Sequence, residues 1–278
     1  LEQAQEAKLD RICRKLRLQE GEKLLDIGCG WGGLAIYAAR HFGVRVTGIT
    51  LSPAQAEVAR QRAEEAGVAA QVSIQIRDYR ELPRDLLFDK VASVGMVEHV
   101  GRARLAEYFA GVYRVLWPGG LFLNHGIVAA VTPAFVRRGF GLVERYLDSH
   151  SFLREYVFPD GELLRLGETL GRAEEAGFET RDVENLREHY ALTLREWVRR
   201  LEERHDAVVA LSDEVTYRIW RFYMAGSAVS FEAGRIGVVQ SLLAKPTPEG
   251  HSGVPLSRAD IEGLQGGLLS PASPARAG

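Results

Sequence analysis

The sequence predicts an α/β protein built on a doubly wound, mostly parallel sheet with helices on both faces. Three observations carry that prediction. Short apolar runs alternate with stretches of helical periodicity from Lys23 to Ile127. The first run feeds a glycine-rich turn, Gly28-Cys-Gly30-Trp-Gly32-Gly33, that opens straight into a helix. Strand, glycine turn and helix are the first half of a βαβ unit.

The elements follow in order. Residues 2–17 read as a helix, because Ala4, Ala7, Leu9, Ile12, Cys13 and Leu16 recur at helical spacing, and Gln19-Glu-Gly21 closes it. Leu24, Leu25 and Ile27 make the first strand, interrupted by Asp26, and Leu34 to Phe42 the next helix. Val44 to Ile49 is a second strand ending at Thr50. Ser52 as N-cap and Pro53 at the first helical position start a helix that runs to about Ala66 and stops at Gly67. Val72–Ile76 and Phe88–Val94 are further strands. A helix covers about 102–116, and Trp117-Pro-Gly-Gly120 is a strong turn signal before the strand Leu121–Ile127.

Beyond residue 128 the pattern changes. Residues 128–160 are irregular and carry Phe135, Phe140 and Tyr146, which read as core aromatics. A helix near 162–176 precedes a strand from Phe178 to Leu186. Two helical stretches, about 190–210 and 213–234, then come before a last strand at Ile236–Leu243. This gives seven strands, a domain over 1–245, and a helical lid from 128–160 and 187–235. Residues 246–278 form a Pro-, Gly- and Ser-rich tail, with a helical turn expected near Arg258–Leu264 and disorder beyond.

Composition is that of a globular protein: 46% hydrophobic, 26% charged and a net charge of −2 over 278 residues. Nothing in that balance points to nucleic acid. Arg137 and Arg138 belong to a solvated face, because acids match bases across 128–210. The two cysteines, Cys13 and Cys29, form no metal-binding pattern, so no metal is expected and the compartment is read as reducing. No apolar run is long enough to span a membrane, and no signal peptide opens the chain. The chain begins at Leu1 rather than Met, so native sequence is expected upstream.

Gly28-x-Gly30-x-x-Gly33 satisfies a dinucleotide fingerprint. That reading wants an acid at the end of the second strand, where Thr50 stands. Asp26 instead puts a carboxylate just before the turn, which repels a pyrophosphate and suits a cation. S-adenosylmethionine (SAM), with a sulfonium and an ammonium group, fits; a dinucleotide and a generic tight turn stay open.

Several separated stretches together resemble the cyclopropane-fatty-acyl-phospholipid synthase family. They are Leu25-Asp-Ile-Gly-Cys-Gly-Trp-Gly-Gly33, Gly48-Ile-Thr-Leu-Ser52 with Gln55, Asp78-Tyr-Arg80, Phe88 to Gly101 with its Glu98-His-Val-Gly101 end, and His125-Gly-Ile127. The resemblance runs from Leu1 to about Lys245. It implies a class I methyltransferase fold and attack by a cis double bond of a phospholipid acyl chain on the SAM methyl group. Proton loss from the resulting carbocation then gives a cyclopropane, or a methylene- or methyl-branched chain. It implies a bicarbonate ion as the base, held by Glu98, His125, Tyr190 and the backbone N–H of Ile127. For SAM it implies Gly28 and Gly30 at the methionine and ribose, Thr50 and Gln55 on the ribose and amino-acid side, Asp78 and Tyr79 bracketing the adenine, and Val94 on its face. His99 is left outside the site as a helix-capping imidazole.

The implied partners are unsaturated phospholipid acyl chains at the inner face of the membrane, with the protein cytoplasmic and peripheral. A homodimer, and a reductase for a methyl-branched product, stay open. The chain departs from the family twice: Ser227 stands where many members have cysteine, and the Tyr-Ser-Cys segment upstream of the first helix is not in this sequence. Two rival readings remain: a small-molecule methyltransferase on the same scaffold, and a catalytically silent cofactor-binding subunit.

Overall fold

A computed structural model describes residues 1–129, 152, 155–159 and 161–262. The expectations for Phe135, Phe140, Tyr146, Arg137, Arg138 and the tail beyond residue 262 lie outside the described residues. Seven strands form one sheet: β1 (Lys23–Ile27), β2 (Arg45–Thr50), β3 (Val72–Ile76), β4 (Phe88–Val94), β5 (Leu116–Ala129), β6 (Glu179–Asn185) and β7 (Ile236–Ala244). Their order is β3-β2-β1-β4-β5-β7-β6. β3, β2, β1, β4 and β5 pair in parallel, and β7 runs antiparallel to β5 and to β6.

The helices are α1 (Glu2–Leu16), α2 (Gly33–Phe42), α3 (Pro53–Glu65), α4 (Leu105–Val115), α5 (Leu166–Glu175), α6 (Arg187–Glu203), α7 (His205–Leu211), α8 (Glu214–Glu232) and a short α9 (Ala259–Glu262). Residues alternate between the two faces of a strand, so β1 feeds two cores. Leu24 joins Ile12 of α1, Ala35 and Ala38 of α2 and Ala59 of α3. Leu25 and Ile27 join Phe109 and Val112 of α4 and Ala173 of α5. A third cluster is made by Ala191 and Leu194 of α6, Met224, Ala228 and Phe231 of α8, and Val238 of β7.

The reversal of β7 has a topological cause. β6 ends at the carboxyl edge of the sheet, and α6, α7 and α8 are inserted there. The chain therefore enters β7 from the carboxyl edge and runs backwards. The same connection sets α6 and α8 beside the end of the sheet where the glycine turn lies. α1 is pinned to the far edge by Lys15, fully buried, with Nζ 2.6 Å from Glu184 and 3.2 Å from Asp182.

Local signals place most boundaries. The Ser52 hydroxyl caps α3 by accepting from the Gln55 N–H at 3.3 Å, with Pro53 in the first turn. Asp213 caps α8, accepting from the Thr216 N–H at 2.7 Å. Three expectations change. Trp117–Gly120 is not a free turn but the bulged start of β5: the register shifts from Phe88↔Leu116 to Lys90↔Leu121, and Gly119 donates to the Lys245 carbonyl at 2.7 Å. The stretch predicted as one helix over 190–210 starts at Arg187 and breaks at Arg204, between α6 and α7. The helix predicted from 102 opens as a 3-10 turn, Arg102–Arg104, before α4.

Candidate functional site

The strand order reverses between β1 and β4, and ligands of open α/β sheets sit in the crevice at such a point. The glycine turn leaves β1 there. Gly28 has φ +76°, and its N–H and that of Cys29 both donate to the Ile49 carbonyl, at 2.9 and 3.0 Å. This ties the turn to the end of β2. A Cβ on Gly28 would lie 3.1 Å from Met96 Cγ, so only glycine lets the two strand ends close up. Above them lies a cavity of about 370 Å³, in the size range of small-molecule sites.

Of the residues predicted to hold a cofactor, Gly28, Thr50, Asp78 and Tyr79 line this cavity. Asp26, Gly30, Gln55 and Val94 stand outside its wall. Gln55 is tied to it, because the Thr50 hydroxyl donates to Gln55 Oε1 at 2.9 Å. Val94 packs on the core cluster shared with α1, α2 and α3. Asp26 points to the same face as Leu24. It is 2% exposed, its Oδ2 has no hydrogen-bond partner among the described residues, and burial pushes its carboxyl up to about 7. Asp78 is engaged by Arg80: Oδ1 accepts from the Arg80 backbone N–H and Nε, both at 2.9 Å, and Oδ2 from Nη2 at 2.6 Å. Those bonds hold its carboxyl below the usual range. Tyr79 packs edge-on to Tyr108, ring centres 5.4 Å apart.

Glu98 lies in a 3-10 turn after β4 and is 8% exposed. Its Oε1 accepts from the Ile127 backbone N–H at 2.6 Å, the N–H that the resemblance assigns to the bicarbonate ion, and its Oε2 is buried without a partner among the described residues. Burial raises its carboxyl, against the backbone hydrogen bonds that lower it. Gly126 leaves room beside it: a Cβ there would meet Val97 Cγ1 at 2.2 Å and lie 3.7 Å from Glu98 Oε1.

Tyr190, on α6, packs edge-on to Phe231 at 5.0 Å. Its phenol is pushed up to about 12 by burial first, then by Tyr223 and the Glu98 carboxylate. His125 is placed differently. It sits on β5 next to Gly126, whose Cβ position faces Glu98, so its ring points to the opposite face. Burial, with the charges of Lys8 and Lys15 on α1, pushes it down to about 3. The Gln240 amide nitrogen lies 3.2 Å from Nδ1. The ring is therefore neutral with its proton on Nε2. Among the described residues no hydrogen bond joins His125 to Glu98.

Sequence reasoning missed three contributors. Met96 and Arg104 line the same cavity, and Tyr223 feels the Glu98 carboxylate from α8. His99, set aside as a cap, also lines the cavity. An aromatic row leads from it: His99 to Phe158 at 5.5 Å, Phe158 to Tyr223 at 5.5 Å, and Tyr223 to Trp220 at 5.8 Å. Tyr223 lies one helical turn before Ser227, in a stretch already singled out, but its relation to Glu98 leaves no spacing signal.

A cavity at the switch point of this mixed sheet, opened by a glycine turn, is the architecture of class I methyltransferases. The chain belongs to the mycolic acid cyclopropane synthetase family, whose model matches residues 1–241. It is 48% identical over 262 residues to a Pseudomonas putida protein named "Probable fatty acid methyltransferase", covering 94% of this chain and 64% of that one. It is 35% identical over 250 residues to the cyclopropane-fatty-acyl-phospholipid synthase of Escherichia coli K12, covering 90% of this chain and 60% of that one. The chain thus spans about three fifths of the length of these curated relatives. Among solved structures, mycolic acid cyclopropane synthase CmaA1 complexed with SAH and CTAB matches with a TM-score of 0.80 and 30% identity, covering 87% of this chain and 84% of that one.

Proposed function

We propose that the protein transfers a one-carbon unit from SAM to the cis double bond of an unsaturated phospholipid acyl chain, giving a cyclopropane or a methylene- or methyl-branched chain. The observation that carries this reading is the Glu98 carboxylate: buried, held on one oxygen by the Ile127 N–H, and without a partner on the other among the described residues. A buried polar atom left unpaired asks for a ligand.

The residues present fit both groups that the family resemblance implies. For SAM, Gly28, Thr50, Asp78 and Tyr79 line the cavity, Gln55 braces Thr50, and Gly30 shapes the turn. Val94 closes the strand end. The unpaired oxygen of Asp26 gives negative potential behind the turn for the sulfonium and ammonium groups. For bicarbonate, Glu98 Oε2 is an acceptor for its O–H and the Tyr190 phenol is a donor for its oxygens, while His125 lies on the other face of β5. When bound there, bicarbonate supplies the base that a carbocation next to a C–H bond needs. Glu98 and Tyr190 then act by orienting that base, and Ile127 by holding Glu98.

The test is incubation of the full-length protein with methyl-labelled SAM and vesicles of cis-monounsaturated phospholipid, with and without bicarbonate, followed by mass analysis of the released fatty acids. A gain of one CH₂ that depends on bicarbonate is the expected result, and fragmentation separates ring from branch. Cofactor binding with no labelled lipid overturns the lipid reading and turns attention to a small-molecule acceptor.

A further inference from the structure

A second cavity, about 640 Å³, opens at the carboxyl end of the sheet. It begins at Val128, one residue past the Ile127 whose N–H holds Glu98, and shares no wall residue with the cofactor cavity. Segment 161–165 closes in beside it: the Glu162 N–H donates to the Glu98 carbonyl at 3.0 Å and the Ala129 N–H to the Leu164 carbonyl at 2.9 Å. Glu98 therefore stands between two chambers, one on the β1–β4 side and one on the β5–β7 side.

The walls of the second chamber are mixed. Val128, Ile236 and Val239 are apolar, while Asn185, Arg165 and Arg187 are polar. Its charges are not balanced. Arg187 is engaged, its Nη1 donating to the carbonyls of Phe231 at 2.5 Å and Glu232 at 3.0 Å and its Nη2 pairing with Glu188. Glu168, the acid in the wall, is taken up by Arg102. Arg165 is exposed, and among the described residues its guanidinium has no ion pair or hydrogen bond. A chamber for hydrocarbon alone needs no such group, because a charge left beside an apolar ligand loses solvation and gains nothing.

We propose that this chamber receives the phosphate-bearing head of a glycerophospholipid, with Arg165 as its ion partner; the proposal rests on the lipid reading above. A guanidinium matches phosphate with two parallel charge-assisted hydrogen bonds, a geometry that lysine does not reproduce. The apolar wall accepts the glycerol ester region, and the chain beyond it passes toward Glu98 and the cofactor cavity.

The experiment titrates the full-length protein, as wild type, Arg165→Ala and Arg165→Lys, with a short-chain, water-soluble phosphatidylglycerol and separately with inorganic phosphate, followed by phosphorus NMR. Turnover on phosphatidylglycerol vesicles is measured alongside. The expected result is tighter binding of the short-chain lipid than of phosphate, about tenfold weaker lipid binding in Arg165→Ala, and partial retention in Arg165→Lys. On vesicles, Arg165→Ala raises KM about tenfold with kcat within about twofold and SAM affinity unchanged. Equal lipid binding by wild type and Arg165→Ala overturns the subsite, whatever the turnover. Inorganic phosphate binding as tightly as the lipid overturns the headgroup assignment and makes this a free-phosphate site. Arg165-dependent lipid binding without turnover in the wild type supports the subsite and overturns the proposed reaction instead.

Discussion

The cofactor cavity and the Glu98 site lie at the same end of one sheet, yet they are assembled by different means. Around the cavity, Gly28, Thr50, Asp78 and Met96 each stand within a few residues of the end of a parallel strand. Parallel pairing aligns those ends, so four short local motifs converge once the sheet forms. Around Glu98, the partners come from β5, α6 and α8, and two of these elements belong to an insertion between β6 and β7. The first region follows from sheet topology. The second exists only when an inserted helix pair docks through its own small core. The Glu98 site is therefore expected to be the more easily disturbed of the two, while the cavity at the strand ends survives changes in the inserted helices.

The strongest way to separate the two regions is Glu98→Gln. It removes the charge but keeps the hydrogen bond to Ile127, and kcat is expected to fall about 100-fold or more, as for loss of a preorganised electrostatic group. SAM affinity by calorimetry stays within about twofold of wild type. A matching loss of SAM affinity would show that the two regions are not separable. Gly28→Ala strikes the other region: with φ +76° and Met96 Cγ 3.1 Å from the new Cβ, it weakens SAM binding about tenfold, read by the same calorimetry.

Gly126→Ala sharpens the contrast on the Glu98 side. Its Cβ lands 2.2 Å from Val97 Cγ1, and overpacking of that kind costs about 1–3 kcal/mol, measured by urea unfolding. Tyr190→Phe and Tyr223→Phe keep the rings and remove the hydroxyls. Each lowers kcat by about three- to tenfold and flattens the dependence on bicarbonate, with no change in melting temperature beyond that of a lost hydrogen bond. If only Tyr190→Phe has this effect, Tyr223 is a packing residue.

A further effect concerns pH. Asp26 titrates in the folded protein near 7 instead of 3.8 because it is buried. Folding therefore binds a proton, and the group's contribution to stability, full at low pH, is lost as pH rises from about 4 through about 7. Asp26→Asn removes that slope in unfolding curves taken across this window without SAM. An unchanged slope would assign it to another group.

The sheet was largely legible in the sequence because its signals are short-range. Val72-Ser-Ile-Gln-Ile76 alternates with the period of a strand, Ser52-Pro53 announces a helix start, and a positive φ at Gly28 is a local steric demand. Trp117-Pro-Gly-Gly120 shows where such signals stop being sufficient. The turn propensity is real, but pairing with β4 and β7 absorbs it as a bulge inside β5. The long helical stretch after Leu186 likewise carries no strong breaker, and its interruption at Arg204 is a matter of how α7 turns toward α8.

By itself, the sequence determined the strand–turn–helix units, the glycine turn, the capping of α3 and which residues end at the carboxyl edge. Those features rest on backbone sterics and on periodicity within a dozen residues. Only the tertiary structure decided that Asp26 faces away from the cavity, that His125 and Glu98 serve opposite faces of β5, that Tyr223 joins Tyr190 near Glu98, and that Arg165 opens onto a second chamber. Each of these depends on which side of a strand a residue falls, or on the docking of helices far apart in the chain. A single residue of register decides the first, and burial of the third core decides the second.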